Sequence, residues 1–184
     1  VRALADIRST LLDPRLGSKN HTIPIVGAVQ FESTATALDP YLLGVLIGDG
    51  SLRQDGVSLS TADDELLNAV RAALPPGCEA VHVGAYDWRL RYNGARMYAA
   101  GRGGWLPSNP IITEMRRTGL QGTHSHSKFL PPDYLFNSVE ARTSLLQGLM
   151  DTDGWVQAAG TSIYFSTASE RLADDVTTLV QSLG

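Results

Sequence analysis

Two stretches of this chain share one pattern, an apolar run that contains small residues and ends in Asp-Gly. The first is YLLGVLIGDG at residues 41–50, and the second is LLQGLMDTDG at residues 145–154. A single apolar helix that stops at a glycine is common and carries little information. Two such runs, with Asp49 and Asp153 lying 104 residues apart, indicate an internal duplication of one structural unit.

Each run places small residues one helical turn apart. Gly44 and Gly48 share a helix face in the first run, as Gly148 and Thr152 do in the second. Small side chains on one face let two helix backbones approach closely, so the pattern predicts that the two helices pack against each other. If the helices run in the same direction, the two terminal aspartates emerge together at one end.

A pair of carboxylates at that end is electrostatically unfavourable. The negative ends of both helix dipoles add to the repulsion between Asp49 and Asp153. A positive group is therefore expected between them, and a hard divalent cation held by oxygen ligands is the simplest choice. The sequence thus predicts a metal site built from both copies of the pattern.

Helix and strand signals predict the same order of elements in each copy. Asp39 is a natural N-cap with Pro40 at the first helical position, and Asp55-Gly56 is typical of a tight hairpin. The first copy reads as helix, strand, strand, helix, strand, strand, helix, and the second begins in the same way. We expect an α+β fold with a lead-in segment at 1–37, a first repeat at 38–136 and an incomplete second repeat at 137–184.

Several local predictions accompany this division. Residues 79–94 alternate like a strand, with Arg89 and Arg91 on the polar face, and the glycine-rich residues 99–110 read as a loop. Residues 124–136 read as extended, and the second motif helix is expected to begin at a cap formed by Asn137. The three tryptophans are expected to pack in the core or on a sheet; they are Trp88, Trp105 and Trp155.

The charge distribution is uneven along the chain. The net charge of −4 argues against a nucleic-acid partner. Residues 81–128, however, contain seven Lys and Arg residues against two Asp and Glu residues, which gives this segment +5 and leaves −9 for the rest. This basic band is either a surface for a negatively charged partner or ordinary solvated surface, and the charge pattern alone leaves both open.

Composition indicates a cytoplasmic protein. The lone Cys78 cannot form an internal disulfide, which fits a reducing compartment. No apolar stretch reaches the roughly 18 to 20 residues that a membrane span requires, and the N-terminal residues lack the apolar core of a signal peptide. We expect a monomer with no membrane partner.

The two runs resemble the two copies of the LAGLIDADG motif of homing endonucleases. The resemblance is to the single-chain, two-repeat kind embedded in inteins, and it covers most of the chain, from about Asp39 onward. KFLPPDYLF at residues 128–136 also resembles the block before the second motif in inteins, including those of replicative DNA helicases. The resemblance implies motif helices related by a pseudo-twofold axis and two curved antiparallel sheets that form a saddle over DNA.

It also implies a function, site-specific and Mg²⁺-dependent cleavage of double-stranded DNA at the intein-less allele, which is intein homing. Asp49 and Asp153 match the metal-binding catalytic acids, and Gly48 and Thr152 match positions that add backbone carbonyl ligands to two or more Mg²⁺ ions. Lys128 matches a basic residue that polarises water or balances charge in the transition state. Five arginines are expected to contact DNA; they are Arg53, Arg89, Arg91, Arg96 and Arg102.

The chain also departs from an intact intein. It begins with Val1 instead of a nucleophilic Cys or Ser, and it ends at Gly184 without a His-Asn pair. We therefore expect an endonuclease portion of a larger intein, with the splicing domain as its partner in cis. Two alternatives stay open, a DNA-binding module that has lost cleavage and a purely structural insertion.

Overall fold

The computed structural model describes residues 3–22, 25–53, 56–94, 109–158 and 160–184, together with the backbone at 98–99 and 104–105. The helices in this part are α1 Leu4–Ser9, α2 Pro40–Gly48, α3 Asp64–Ala73, α4 Pro110–Thr118, α5 Pro132–Leu135, α6 Val139–Asp153 and α7 Glu170–Leu183. The strands are β1 Gly50–Arg53, β2 Gly56–Ser60, β3 Cys78–Gly84, β4 Asp87–Tyr92, β5 Tyr98–Ala99, β6 Gly104–Trp105, β7 Gly154–Val156 and β8 Ile163–Phe165.

The first repeat contains an antiparallel sheet of four strands in the order β1-β2-β4-β3. Helices α2, α3 and α4 alternate with the two hairpins of this sheet, so the expected helix-strand-strand order and the α+β fold class are confirmed. In the second repeat, α6 is followed by the hairpin β7–β8 and then by α7, which is the same order as α2, β1, β2 and α3.

The core lies between the four-stranded sheet and the helices. One sheet face carries Leu52, Val57, Leu59 and Leu90, each at most 3% exposed. This clean alternation of buried and accessible residues is typical of an antiparallel sheet with one face on the core. Leu66, Leu67 and Val70 of α3 are also buried, and Leu66 and Val70 belong to the same cluster as the sheet residues.

Helix α2 is at the centre of this core, because its residues from Leu42 to Ile47 are all buried. A helix that is apolar on every side is stable only when protein surrounds it, which explains why this one has no polar face. It begins as predicted, with Asp39 accepting a hydrogen bond from the Tyr41 N–H at 2.8 Å and Pro40 in the first position. Helix α6 packs directly against it.

The lead-in segment is attached to the second repeat. Its helix α1 has no buried residue, whereas the stretch from Val29 to Thr34 is tied down by hydrogen bonds. The Val29 N–H donates to the Ser182 carbonyl at 2.9 Å, and Asn137 bonds both the N–H and the carbonyl of Thr34 at 3.1 and 2.9 Å. The chain therefore passes along α6 and the end of α7 before it reaches α2.

Some local predictions are corrected. Residues 79–94 are not one strand but the hairpin β3–β4, which turns at Ala85 with φ 36°. The glycine-rich segment contains the short ladder β5–β6 instead of being loop throughout. Helix α6 is capped by Ser138, because Asn137 is buried and used for the lead-in segment.

The stretch predicted as extended, residues 124–136, contains a 3₁₀ turn at Ser125–Ser127 and the short helix α5. Its prolines explain the difference, since Pro132 stands at the first position of α5, where a missing N–H costs nothing. Within the described residues, no helix combines the length and the apolar character that crossing a membrane requires.

Candidate functional site

The two motif helices touch through their backbones. A Cβ atom added to Gly44 would lie 2.3 Å from the Leu145 carbonyl oxygen, and one added to Gly148 would lie 2.2 Å from the Tyr41 carbonyl oxygen. A Cβ on Gly48 would lie 1.9 Å from the Thr152 Oγ1 atom. The predicted close packing is confirmed, and it runs in one direction along both helices, because successive glycines of α2 face successive small residues of α6.

This packing brings the two motif aspartates to one end. Asp49 is the C-cap of α2 and is exposed, while Asp153 ends α6 and is half-buried. Both line one cavity of about 260 Å³, and Lys128 forms another part of its wall. A second cavity, of about 620 Å³, lies beside it and also contains Asp49 and Lys128 in its lining. The structure thus brings together the three residues that the sequence analysis assigned to catalysis.

Lys128 is held at the end of α2. Its side chain is only 6% exposed, and its ammonium donates hydrogen bonds to the carbonyl oxygens of Gly48 at 2.7 Å and Gly50 at 2.9 Å. Helix C-termini leave carbonyl groups without intrahelical partners, and a cation there also opposes the negative end of the helix dipole. Lys128 therefore stabilises the turn that carries Asp49, in addition to placing a positive charge beside it.

The electrostatics of this end favour a further cation. Burial raises the pKa of the Asp153 carboxyl above its usual range, the charge of Asp49 adds to this, and Lys128 opposes it. Burial also lowers the pKa of Lys128, partly offset by both carboxylates. One lysine thus does not fully compensate two carboxylates that share a partly desolvated cavity.

The donor set fits a hard divalent ion, with limits. Carboxylate oxygens of Asp49 and Asp153 are suitable ligands, and the carbonyl of Gly48, which already accepts from Lys128, keeps a second lone pair. Thr152, whose backbone carbonyl was the second expected carbonyl ligand, lines neither cavity, and its hydroxyl donates to the carbonyls of Gly148 and Leu149. In the described ranges, no cluster of three or more His, Cys, Asp or Glu side chains forms a metal site. Substrate oxygens and water would have to complete the coordination.

Ile47 and Asp151 occupy the same position in the two motifs but have different surroundings. Ile47 is fully buried in the core. Asp151 is exposed and accepts a hydrogen bond from the Tyr41 hydroxyl at 2.8 Å, which helps to raise the pKa of that tyrosine above its usual range, after the larger effect of burial. Asp151 is therefore bound at the side of the helix pair and does not line either cavity.

Comparison with known protein families identifies the segment that contains the second motif helix. Residues 140–184, which contain α6, the β7–β8 hairpin and α7, match the model of the LAGLIDADG-like domain family. The chain has a LAGLIDADG fold. The match covers the second repeat, and the first repeat shows the same order of elements around its own motif helix.

Three known proteins are similar in sequence to this chain. A replicative DNA helicase DnaB from Mycobacterium intracellulare is 31% identical over 185 residues, which is 100% of this chain and 26% of the relative. A replicative DNA helicase DnaB from Nostoc sp. is 29% identical over 160 residues, 83% of this chain and 18% of the relative. An iron-sulfur cluster assembly SufBD family protein from Mycobacterium leprae is 27% identical over 144 residues, 78% and 15% respectively. The chain thus spans about a quarter or less of these proteins.

The outer face of the four-stranded sheet carries two of the arginines that are expected to contact DNA. Arg53 of β1 and Arg89 of β4 line a cavity of about 350 Å³ on this face, together with Ser51 and Ser58. The Arg89 guanidinium reaches across β2, since its Nη2 atom lies 2.9 Å from where a Cβ of Gly56 would stand. Arg53 and Ser51 also line the larger cavity beside Asp49, so this face continues into the acidic end of the LAGLIDADG helices.

The remaining predicted DNA-contacting residues are placed less fully. Arg91 is exposed and faces outward two residues after Arg89, opposite Glu79 of β3 in the strand register. Arg96 and Arg102 lie outside the described residues. Asp87 also lines the outer face, so the face is mixed in charge and not uniformly basic.

Sequence reasoning missed several residues that form the walls of the two cavities. Ser166 and Thr167 line the smaller cavity on the Asp153 side, and Ser125 lines both. His124 lines the larger one. These residues carry no local signal, because their position depends on how the segment before Lys128 and the strand β8 fold back to the helix ends. Ser166 could have been found from the order of elements, because β8 returns antiparallel to β7 and so ends beside Asp153.

Proposed function

We propose that this chain is the endonuclease portion of an intein and cleaves double-stranded DNA at a specific site, in a Mg²⁺-dependent reaction at the intein-less allele. The observation that carries this proposal is the shared cavity at the end of the helix pair. Two acidic residues from separate repeats, Asp49 and Asp153, line it together with the buried cation Lys128.

Each residue has a distinct task in this proposal. The carboxylates of Asp49 and Asp153 would hold Mg²⁺, which would supply Lewis-acid stabilisation of the phosphate and activation of water. Lys128 keeps the end of α2 in place through the carbonyls of Gly48 and Gly50 and balances negative charge at the cavity. Tight backbone packing at Gly44 sets the separation of the two acidic ends.

The outer sheet face supports DNA as the substrate. Arg53 and Arg89 lie on a surface that runs into the larger cavity, so a phosphate backbone that follows this face reaches Asp49. Guanidinium groups are well suited to bind phosphates and fix the register of a duplex. The overall charge of −4 does not oppose this, because the acidic residues are concentrated outside the basic band.

The relatives support the intein context. A protein named as a DnaB helicase and one named as a SufBD family protein are similar to this chain, at 31% and 27% identity over 26% and 15% of their lengths. A segment common to proteins with such different names is better explained as an insertion than as the working part of either. We therefore propose that the splicing domain of the parent intein is its partner in cis, and that the host is a DnaB-type helicase.

Cleavage of the uninterrupted host gene tests the proposal. The purified chain is incubated with a plasmid that carries the joined coding sequence of the host, with Mg²⁺ or with EDTA. Asp49→Asn and Asp153→Asn are tested in parallel. Asp151→Asn is the matched control, because Asp151 lies on α6 two residues before Asp153. It accepts a hydrogen bond from Tyr41 and lines neither cavity.

The proposal expects Mg²⁺-dependent cutting at one site that is lost in Asp49→Asn and Asp153→Asn and kept in Asp151→Asn. DNA that is bound but not cut by the unchanged chain would instead support a cleavage-inactive binding module. If neither binding nor cutting occurs, a structural insertion is the remaining explanation. Equal loss in all three variants would show that the cavity has no special role.

A further inference from the structure

Two aromatic rings stand exposed on the β7–β8 hairpin. Trp155 is 53% exposed and Tyr164 is 43% exposed, although they are opposite each other in the strand register. Their ring centroids are 4.4 Å apart and the planes are 14° from parallel, so they form a stacked pair. Of the two expected places for Trp155, the core is therefore wrong, whereas packing on a sheet agrees with its stacking on Tyr164 of the neighbouring strand. A large exposed aromatic pair on a short hairpin indicates an interaction surface.

The pair lies on the same side of the hairpin as the acidic end of α6. The Ser166 N–H donates to the Asp153 carbonyl at 3.1 Å, which continues the β7–β8 ladder to these two residues. Because side chains alternate along a strand, Tyr164 shares a face with Ser166, which lines the smaller cavity, and Trp155 lies opposite Tyr164. Residues two apart along a strand are separated by about 7 Å. The aromatic pair is thus the immediate neighbour of the cavity on the Asp153 side.

The corresponding position in the first repeat has different chemistry. Trp155 follows Asp153 by two residues, as Ser51 follows Asp49. Ser51 lines the cavity of about 620 Å³ beside Asp49 and the cavity of about 350 Å³ on the outer sheet face. The hairpin of the first repeat carries Arg53, whereas residues 154–165 contain no Asp, Glu, Lys or Arg. The hairpin on this side of the cavity is therefore uncharged, although it adjoins a site proposed to bind a polyanion.

We propose that Trp155 and Tyr164 form an apolar DNA-contacting element that packs against base edges of the duplex next to the phosphate cleaved at Asp153. This inference rests on the proposed function and adds a contact that the basic band does not include. Because the two rings already stack on each other, little side-chain freedom is lost when DNA binds.

The two repeats then recognise DNA in different ways. On the Asp49 side, Arg53 contributes through phosphates, so its effect depends on salt because counterions are released. On the Asp153 side, the aromatic pair contributes through base contacts, which release no counterions. The salt dependence of the affinity therefore distinguishes a DNA contact by Trp155 from a merely structural role.

The probe is a fluorescein-labelled duplex that spans the joined coding sequence of the host gene, and affinity is measured by anisotropy over a series of salt concentrations without Mg²⁺. Trp155→Ala should weaken binding roughly 10-fold, the size typical of losing an aromatic contact to a base, with an unchanged slope of log affinity against log salt. Trp155→Phe, which keeps a ring, should lose less. Arg53→Gln should instead make the slope shallower by about 0.9.

Val156→Thr is the matched control. Val156 is 60% exposed on the opposite face of the same hairpin, and threonine keeps its shape and its preference for strands. It should bind DNA like the unchanged chain, and thermal melting shows whether each variant keeps its fold.

Three results would overturn the inference. In the first, Trp155→Ala binds as tightly as the unchanged chain, which leaves the proposed function standing. In the second, Val156→Thr loses as much affinity as Trp155→Ala, or Trp155→Ala makes the salt slope shallower, which means that the hairpin acts as a scaffold or docks another protein. In the third, the unchanged chain fails to bind the duplex, and the proposed function then fails as well.

Discussion

Replacing Gly44 by alanine should force the two motif helices apart. The added methyl would lie 2.3 Å from the Leu145 carbonyl oxygen, 3.0 Å from the Leu149 nitrogen and 3.1 Å from the Gly148 Cα atom. All three atoms belong to the backbone of α6, so no side-chain rotation can relieve the contact. Moving the closest atom from 2.3 Å to 3.0 Å requires a shift of about 0.7 Å, which the whole helix must follow.

Two opposing effects set the size of the change. Overpacking a well-packed core costs about 1–3 kcal/mol, and a rigid backbone clash belongs at the upper end. Alanine in a helix interior is favoured over glycine by about 1 kcal/mol, because glycine loses more backbone entropy. The net loss of unfolding free energy is therefore about 2 kcal/mol. For a chain of this length, this corresponds to a fall in Tm of roughly 4–8 °C.

Gly148→Ala should have a similar effect, because its added methyl would meet the Tyr41 carbonyl oxygen at 2.2 Å and the Val45 nitrogen at 2.9 Å. The two substitutions disturb the same interface, so the double variant should lose clearly less than the sum of the single losses. Once one methyl has separated the helices, the second meets less resistance. Gly27→Ala is the control, since nothing lies within 4 Å of an added methyl there.

Thermal and urea unfolding of the four variants measure these losses. Cleavage should fall more steeply than stability, because a shift of this size at catalytic groups can reduce rates up to about 100-fold. Unchanged melting of Gly44→Ala, or strictly additive losses in the double variant, would refute the reasoning from backbone contact. Retained melting with lost cleavage would show that the glycines matter only for the acidic ends.

Three further outcomes are expected. Arg142→Met should lower the unfolding free energy by about 3 kcal/mol in urea titrations, because the fully buried guanidinium donates to the carbonyls of Asn137, Val29 and Ser182, which would lose their partner. Asp153→Asn should raise the Tm of the metal-free chain while abolishing cleavage, because burial and like charge make its carboxylate unfavourable, and a lower Tm would contradict this. The hydrogen bond from Arg117 holds the pKa of buried Glu114 below its ordinary 4.5. The ionised carboxylate therefore stabilises the fold above pH 4.5, and this stabilisation is lost as the pH falls through the folded-state pKa. Glu114→Gln should flatten this pH dependence in acid titrations followed by circular dichroism.

The helix pair could be predicted because its evidence is local. Apolar residues with small residues one turn apart, ended by Asp-Gly, specify both the helix and the face that packs. Their recurrence 104 residues later is enough to identify Asp49 and Asp153 as partners. The cap at Asp39 followed from rules that involve only neighbouring residues.

Features that depend on distant residues could not be predicted. Lys128 reaches the carbonyl of Gly48 across 80 residues of sequence, and nothing near it indicates that it will be buried. Arg142 is fully buried, and in the part of the chain that the structure describes its guanidinium bonds carbonyl and hydroxyl oxygens and no carboxylate, an arrangement that composition rules disfavour. The turn at Ala85 has neither glycine, proline nor asparagine at its positive φ, so the strand pattern continues through it without a break.

Negative charge at the acidic end of the helix pair destabilises the fold, and this explains the position of Lys128. Two helix dipoles and two carboxylates concentrate negative charge at one end of the closely packed helix pair. Lys128 reduces this charge at its source, since it binds the carbonyls of Gly48 at the end of α2 and Gly50 in β1, and within the described residues it forms no salt bridge with either acid. The carboxylates of Asp49 and Asp153 thus keep their oxygens available to a ligand. A lysine that formed ion pairs with them would stabilise the fold more and leave a weaker metal site.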